Sequence, residues 1–92
     1  MSTVHDQAIF DCLRGIVASV LEIAEDDVWP TALLYEDLAA DSLEKVEIAV
    51  RIERHCGVKF TADEAAKLRS VADAVALLRH KGVVTGPADG GP

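Results

Sequence analysis

Asp41-Ser42-Leu43 is the part of this 92-residue chain best suited to chemistry. It lies within Glu36-Asp37-Leu38-Ala39-Ala40-Asp41-Ser42-Leu43-Glu44-Lys45-Val46-Glu47-Ile48. A polar approach rich in small residues delivers a serine to the first turn of an apolar helix. There, backbone N–H groups without intrahelical partners and the positive end of the helix dipole favour a phosphate. A hydroxyl offered to solvent in this way suits covalent attachment of a phosphate-linked group better than catalysis. A serine nucleophile would need a base and an orienting third group. His5, His55 and His80 are the chain's histidines, none stands in a triad motif, and Ser42 lacks the Gly-x-Ser-x-Gly elbow. Asp26, Asp27, Glu36, Asp37 and Asp41 lack calcium-loop spacing, and no Cys/His cluster has zinc spacing. The sequence therefore predicts neither an enzyme nor a metal-binding module.

The helix that must position Ser42 is predicted from Ser42 to Cys56. Asp41 is its N-cap, Glu44 completes a capping box, and Gly57 supplies a left-handed stop. Its apolar residues form two stripes: Ile48, Ala49, Ile52 and Cys56 on one face, Leu43, Val46 and Val50 on another. One stripe faces the core; the other packs on the long loop or stays partly open for a partner. A first helix is predicted from Val4 to Leu21, capped by Ser2 or Thr3, with Asp6 in its first turn and Ile9, Leu13, Ile16, Val17 and Val20 at helical spacing. The connection from Glu22 to Ala40 is broken by Trp29-Pro30 and held to the body by Leu33, Leu34, Tyr35 and Leu38. So long a loop in so small a domain points to function.

A short helix follows the capping box Thr61-Ala62-Asp63-Glu64. A last helix starts at Ser70, with Asp73 three residues on, turns Val71, Ala74, Val75, Leu77 and Leu78 inward, and ends near Gly82. No strand alternation is present. The expected fold is all-α: a small four-helix bundle of three longer helices and one short one, with a long loop between the first and second helices. Residues 1–82 form the domain, and 83–92, ending Gly-Pro-Ala-Asp-Gly-Gly-Pro, a disordered C-terminal tail.

Half the residues are apolar and few are aromatic, which suits helices packing on helices. Cys12 and Cys56 fall among apolar neighbours and read as small core residues, not as a disulfide framework or reactive thiols. No apolar run approaches the roughly 20 residues of a membrane span, and no secretory signal opens the chain. A soluble cytoplasmic monomer is expected. The formal net charge is −7. From Gly15 through Glu44 the acids Glu22, Glu25, Asp26, Asp27, Glu36, Asp37, Asp41 and Glu44 stand without a single Lys, Arg or His. Such a surface disfavours nucleic acid and steers a basic protein partner toward Ser42.

These residues make the sequence resemble an acyl carrier protein. The likeness rests on Asp37-Leu38-Ala39-Ala40-Asp41-Ser42-Leu43, the continuation Glu44-Lys45-Val46-Glu47-Ile48, the Gly57-Val58 stop and the helix order, and it covers roughly residues 4 to 81. The resemblance implies that Ser42 carries phosphopantetheine, taken from coenzyme A, through a phosphodiester. It implies that Asp41 assists the metal-aided attachment, and that Leu43, Val46 and Val50 touch partner enzymes, with Glu44, Glu47, Glu36 and Asp37 completing the partner-facing set. Expected partners are a phosphopantetheinyl transferase and an acyltransferase, ketosynthase or acyl- or aminoacyl-activating enzyme. The expected function is to hold acyl intermediates as thioesters for fatty-acid, polyketide or related secondary-metabolite biosynthesis. Asp-Ser-Leu looks more like acyl and polyketide carriers than peptidyl ones. The alternative is a helical interaction module of the same fold with no prosthetic group. Two departures from the family pattern stand out. Ala39 replaces the usual glycine of Gly-Ala-Asp-Ser-Leu, and Lys45, Arg51 and Arg54 interrupt a helix that is often strongly acidic.

Overall fold

A computed structural model describes residues 3–82. Four α-helices follow in order: α1 over Thr3–Leu21, α2 over Ser42–Cys56, α3 over Ala62–Ala66 and α4 over Val71–His80. No strand occurs among the described residues, so the all-α bundle expected from the sequence is the fold observed. The expected Ser2 cap and the tail beyond Gly82 lie outside the described residues, as do the side chains of Thr3 and Asp6.

The helix boundaries are set by local chemistry. Asp41 is extended, with φ −98° and ψ 179°, and its carboxylate accepts the Glu44 N–H at 2.8 Å. Glu44 reaches back to accept the Asp41 N–H at 3.0 Å. Thr61 with Glu64 and Ser70 with Asp73 form the same reciprocal pair at the starts of α3 and α4. Hydrogen bonding from the Thr61 N–H, aided by Lys81, holds the Glu64 carboxyl below the ordinary carboxylate range. Gly57 ends α2 in the left-handed region, at φ +69°.

The core is built from one stripe of each long helix. Ile9, Leu13 and Val17 of α1 meet Ile48 and Ile52 of α2 and Val71, Ala74 and Leu78 of α4, with Leu68 in the same cluster. Ile16, Val20, Val75 and Leu77 are partly buried around them. Cys12 and Cys56 are half-buried free thiols, so they sit at the core's margin instead of inside it.

The loop before α2 is more structured than its sequence suggests. A 3-10 turn covers Glu25–Asp27, and Arg14 of α1 reaches its Glu25 at 3.7 Å while lying over the Phe10 ring. Further on, the chain straps itself to the start of α4. Leu34 N–H donates to the Arg69 carbonyl, Ala72 N–H donates to the Pro30 carbonyl (both 2.8 Å), and Leu33 bridges Ser70. The anchors differ from those expected. Leu34 is buried and Leu33 and Leu38 partly so, but Tyr35 is 47 % exposed. Val28, Ala32 and Ala40 take the buried places. The strap turns alternate side chains outward, and Tyr35 follows a buried Leu34.

The approach to Ser42 is a series of closed turns. Asp37 and Leu38 N–H groups donate to the Leu33 carbonyl, and the Ala40 N–H to that of Leu34. Ala39 sits among them at φ +59°. The turn therefore needs the left-handed conformation that glycine ordinarily supplies, and here an alanine bears the steric cost. Ala39→Gly is expected to stabilise the fold by up to about 1 kcal/mol, the left-handed penalty less glycine's larger unfolded-state entropy. A urea midpoint that falls on this substitution would contradict the turn geometry.

Candidate functional site

Ser42 is the first residue of α2 and is exposed. The capping box uses Asp41 and Glu44 to fix the first turn beneath it, so the serine's direction is set by two hydrogen bonds and not left to a frayed end. Asp41 is itself exposed, with one carboxylate oxygen engaged by Glu44.

Beside Ser42 runs an open groove of about 490 Å³ between α2 and α3. Val46, Ala49 and Val50 line one wall, Phe60, Ala62 and Ala65 the other, with Lys45 near Ser42. It is mostly apolar and opens to solvent. By contrast, the space among Leu13, Leu34, Ile52, Leu68 and Val71, which Lys45 and Ser70 also line, is about 10 Å³, room for roughly one water.

Leu43, Val46 and Val50 are 79 %, 59 % and 37 % exposed. The long loop does not cover this stripe, while Ile48 and Ile52 on the other are buried. Thus the helix is core-facing on one side and open on the other. The acids around it have different local duties. Glu44 is held in the capping box, and Glu47 pairs with Arg51 at 2.9 Å. Asp37 accepts the Leu33 N–H at 2.9 Å, which pins the loop. Glu36 is exposed and makes no ion pair among the described residues.

Lys45, which carries no site role in the sequence reading, lies in this site. Its ammonium stands 5.3 Å from the centre of the Tyr35 ring. The sequence signal was its three-residue spacing from Ser42, which places both on one helix face.

The two thiols are poorly suited to reaction. Burial pushes the Cys12 thiol up, and burial, with a smaller electrostatic contribution from Cys12, pushes Cys56 up to about 11. Both remain protonated at neutral pH, where the thiolate is the reactive form. Iodoacetamide at pH 7.5 is expected to label Cys56 at least tenfold more slowly than a small free thiol of ordinary acidity, and Cys12 more slowly than that thiol. Labelling at the free-thiol rate would contradict this protection.

Comparison with known proteins agrees with the geometry. Residues 11–78 match the family described as phosphopantetheine attachment site. An acyl carrier protein of Thermosynechococcus vestitus is 35% identical over 77 residues, covering 84% of this chain and 95% of the relative. One from Akkermansia muciniphila is 38% identical over 73 residues, covering 79% and 91%. Among solved structures, an acyl carrier protein from Enterococcus faecalis, described for its high thermal stability, shares the fold. Its TM-score is 0.67 at 23% identity, over 79% of this chain and 92% of that one. The chain is thus a phosphopantetheine-binding helical carrier. It belongs to the acyl carrier protein family, whose members are carriers and not enzymes and bear a covalent phosphopantetheine.

The residues present fit that group. An exposed hydroxyl stands at the positive end of α2, beside a groove with apolar walls and a cation at its mouth. No described helix is long and apolar enough to cross a membrane.

Proposed function

We propose that Ser42 is the attachment point of the arm and that this protein presents thioester-bound acyl intermediates to enzymes of fatty-acid, polyketide or related secondary-metabolite biosynthesis. The observation that carries the reading is the exposed Ser42 hydroxyl on the first turn of α2, fixed by the Asp41–Glu44 box. When bound, the arm supplies a terminal thiol that holds the acyl group. The protein's own task is to present the attachment oxygen and keep a partner close.

Asp41 offers a carboxylate oxygen next to Ser42, a hard ligand suited to Mg²⁺ when a transferase brings coenzyme A. Leu43, Val46 and Val50 form the apolar centre of a docking surface. Glu36, with Glu44 and Glu47 at the rim, draws in basic partners such as a phosphopantetheinyl transferase, acyltransferase, ketosynthase or activating enzyme. Rate is gained through effective concentration, not through chemistry by this chain. The core pocket beside Ile52 has space for roughly one water, whereas the α2–α3 groove is open, so a bound chain lies along that groove. Asp-Ser-Leu favours acyl or polyketide cargo over aminoacyl cargo.

Intact-mass analysis of the protein from its native host, with thioesters preserved, tests the cargo. The expected species carries phosphopantetheine plus an acyl or β-ketoacyl group. A mass equal to an aminoacyl adduct would contradict this assignment.

A further inference from the structure

Lys45 is the first basic residue after Arg14, at the end of a long acidic stretch. It follows Ser42 by three positions on α2, so the two Cβ atoms lie about 5–6 Å apart on one face. Lys45 is half-buried and lines the groove that begins at Ser42. It also lines a second cleft, of about 260 Å³, with Tyr35, Glu36 and Arg69. Its ammonium rests over the Tyr35 ring.

The carboxylates nearest to it along α2 are already engaged. Glu44 accepts the Asp41 N–H, Glu47 holds Arg51, and the Phe60 N–H donates to Glu53. Lys45 makes no ion pair among the described residues. Among the described residues, the ammonium of Lys45 is therefore held by the exposed Tyr35 ring, a weak and easily exchanged partner, with the exposed Glu36 lining the same cleft but forming no ion pair with it.

We propose that Lys45 is a positioning residue for the prosthetic arm: its ammonium leaves the Tyr35 ring and pairs with the phosphodiester on Ser42. This rests on the reading that Ser42 carries the arm. A phosphodiester bears a full negative charge, whereas the ring offers only the negative face of a quadrupole, so the exchange favours the phosphate. Pairing on the Lys45 side directs the first segment of the arm toward the α2–α3 groove and away from the exposed Leu43. It also frees the Tyr35 face, so loaded and unloaded protein present different surfaces beside the attachment point.

The test compares apo protein with protein loaded by a phosphopantetheinyl transferase and coenzyme A, with intact mass reporting the extent of loading. Side-chain NMR follows the Lys45 ε-methylene and the Tyr35 ring, and ³¹P NMR follows the phosphodiester. In apo protein the ring current should place the Lys45 ε-protons upfield of the other lysines. Loading should move them downfield and shift the Tyr35 ring signals. In loaded Lys45→Gln the ³¹P resonance should differ from wild type, and Lys45→Arg should restore it. Fully loaded protein with unchanged Lys45 and Tyr35 signals, or a ³¹P resonance unaffected by Lys45→Gln, would overturn the inference. Lack of any mass gain would instead defeat the attachment reading, and this inference with it.

Discussion

Ile52→Ala is expected to destabilise the protein by roughly 2–5 kcal/mol, the range for removing a large buried aliphatic side chain. Ile52 is 1 % exposed and lies on the buried stripe of α2, in the cluster that joins α1 and α4. The pocket beside it holds only about 10 Å³, so the deletion opens a cavity in a closely packed region. A domain of this size has a total stability of about 5–15 kcal/mol, so a loss of that order shifts the urea midpoint far or leaves part of the population unfolded. Leu43→Ala is the matched control. Leu43 is 79 % exposed on the same helix, and its truncation should change stability by no more than about 0.5 kcal/mol. If the Leu43 stripe is the docking centre, that substitution should still weaken a partner complex by about 1 kcal/mol or more. Equal destabilisation by the two changes would contradict the division of α2 into an inner and an outer face.

The second large effect is on loading. Ser42→Ala should abolish arm attachment while leaving the fold intact, because Ser42 is an exposed N1 residue and the cap is Asp41. Asp41→Ala should act differently. It removes the acceptor for the Glu44 N–H and costs about 1 kcal/mol of helix stability, and it also loosens the turn that presents the hydroxyl. Loading of Asp41→Ala should therefore be slowed, and in Ser42→Ala it should be absent. Circular dichroism melts and loading time courses on the two variants separate the cap from the attachment atom. A Ser42→Ala protein that still loads would place the arm elsewhere.

The parts of this fold legible in the sequence are those governed by contacts three or four residues apart. Asp41 with Glu44, Thr61 with Glu64, Ser70 with Asp73 and Gly57 each announce a helix end, because donor and acceptor are close in the chain. The two stripes of α2 were legible from periodicity, but which of them stayed open was not. That depends on where the loop from Glu22 to Ala40 runs. Its course is set by bonds that span the chain, Leu34 to Arg69 and Ala72 to Pro30, which no local pattern reveals. For the same reason Tyr35 read as an anchor and proved exposed, while Val28 and Ala32 became core. The left-handed Ala39 is an intermediate case: the residue type argues against that conformation, and only likeness to a glycine-bearing motif signalled the turn.

Ser42 was legible because its helix position and its neighbours agree. Lys45 had only its three-residue spacing from Ser42 as a signal, which fixes a shared face and not a role, and its relation to Tyr35 arises from the tertiary strap. Of the acids near Ser42, Asp41 and Glu44 were legible singly as a capping pair, and Glu36, Asp37 and Glu47 only as part of a charged group. The structure divides them into those that hold backbone in place, Asp37, Asp41 and Glu44, one paired on the helix, Glu47, and one exposed and without an ion pair among the described residues, Glu36.

The most direct measurement is intact-mass and fragment-ion analysis after incubation with a broad phosphopantetheinyl transferase, Mg²⁺ and coenzyme A. The expected result is a gain of one phosphopantetheine, located by fragmentation on Ser42 and missing from Ser42→Ala. An unchanged wild-type mass beside a fully loaded control carrier, or an adduct on any other side chain, would contradict the account.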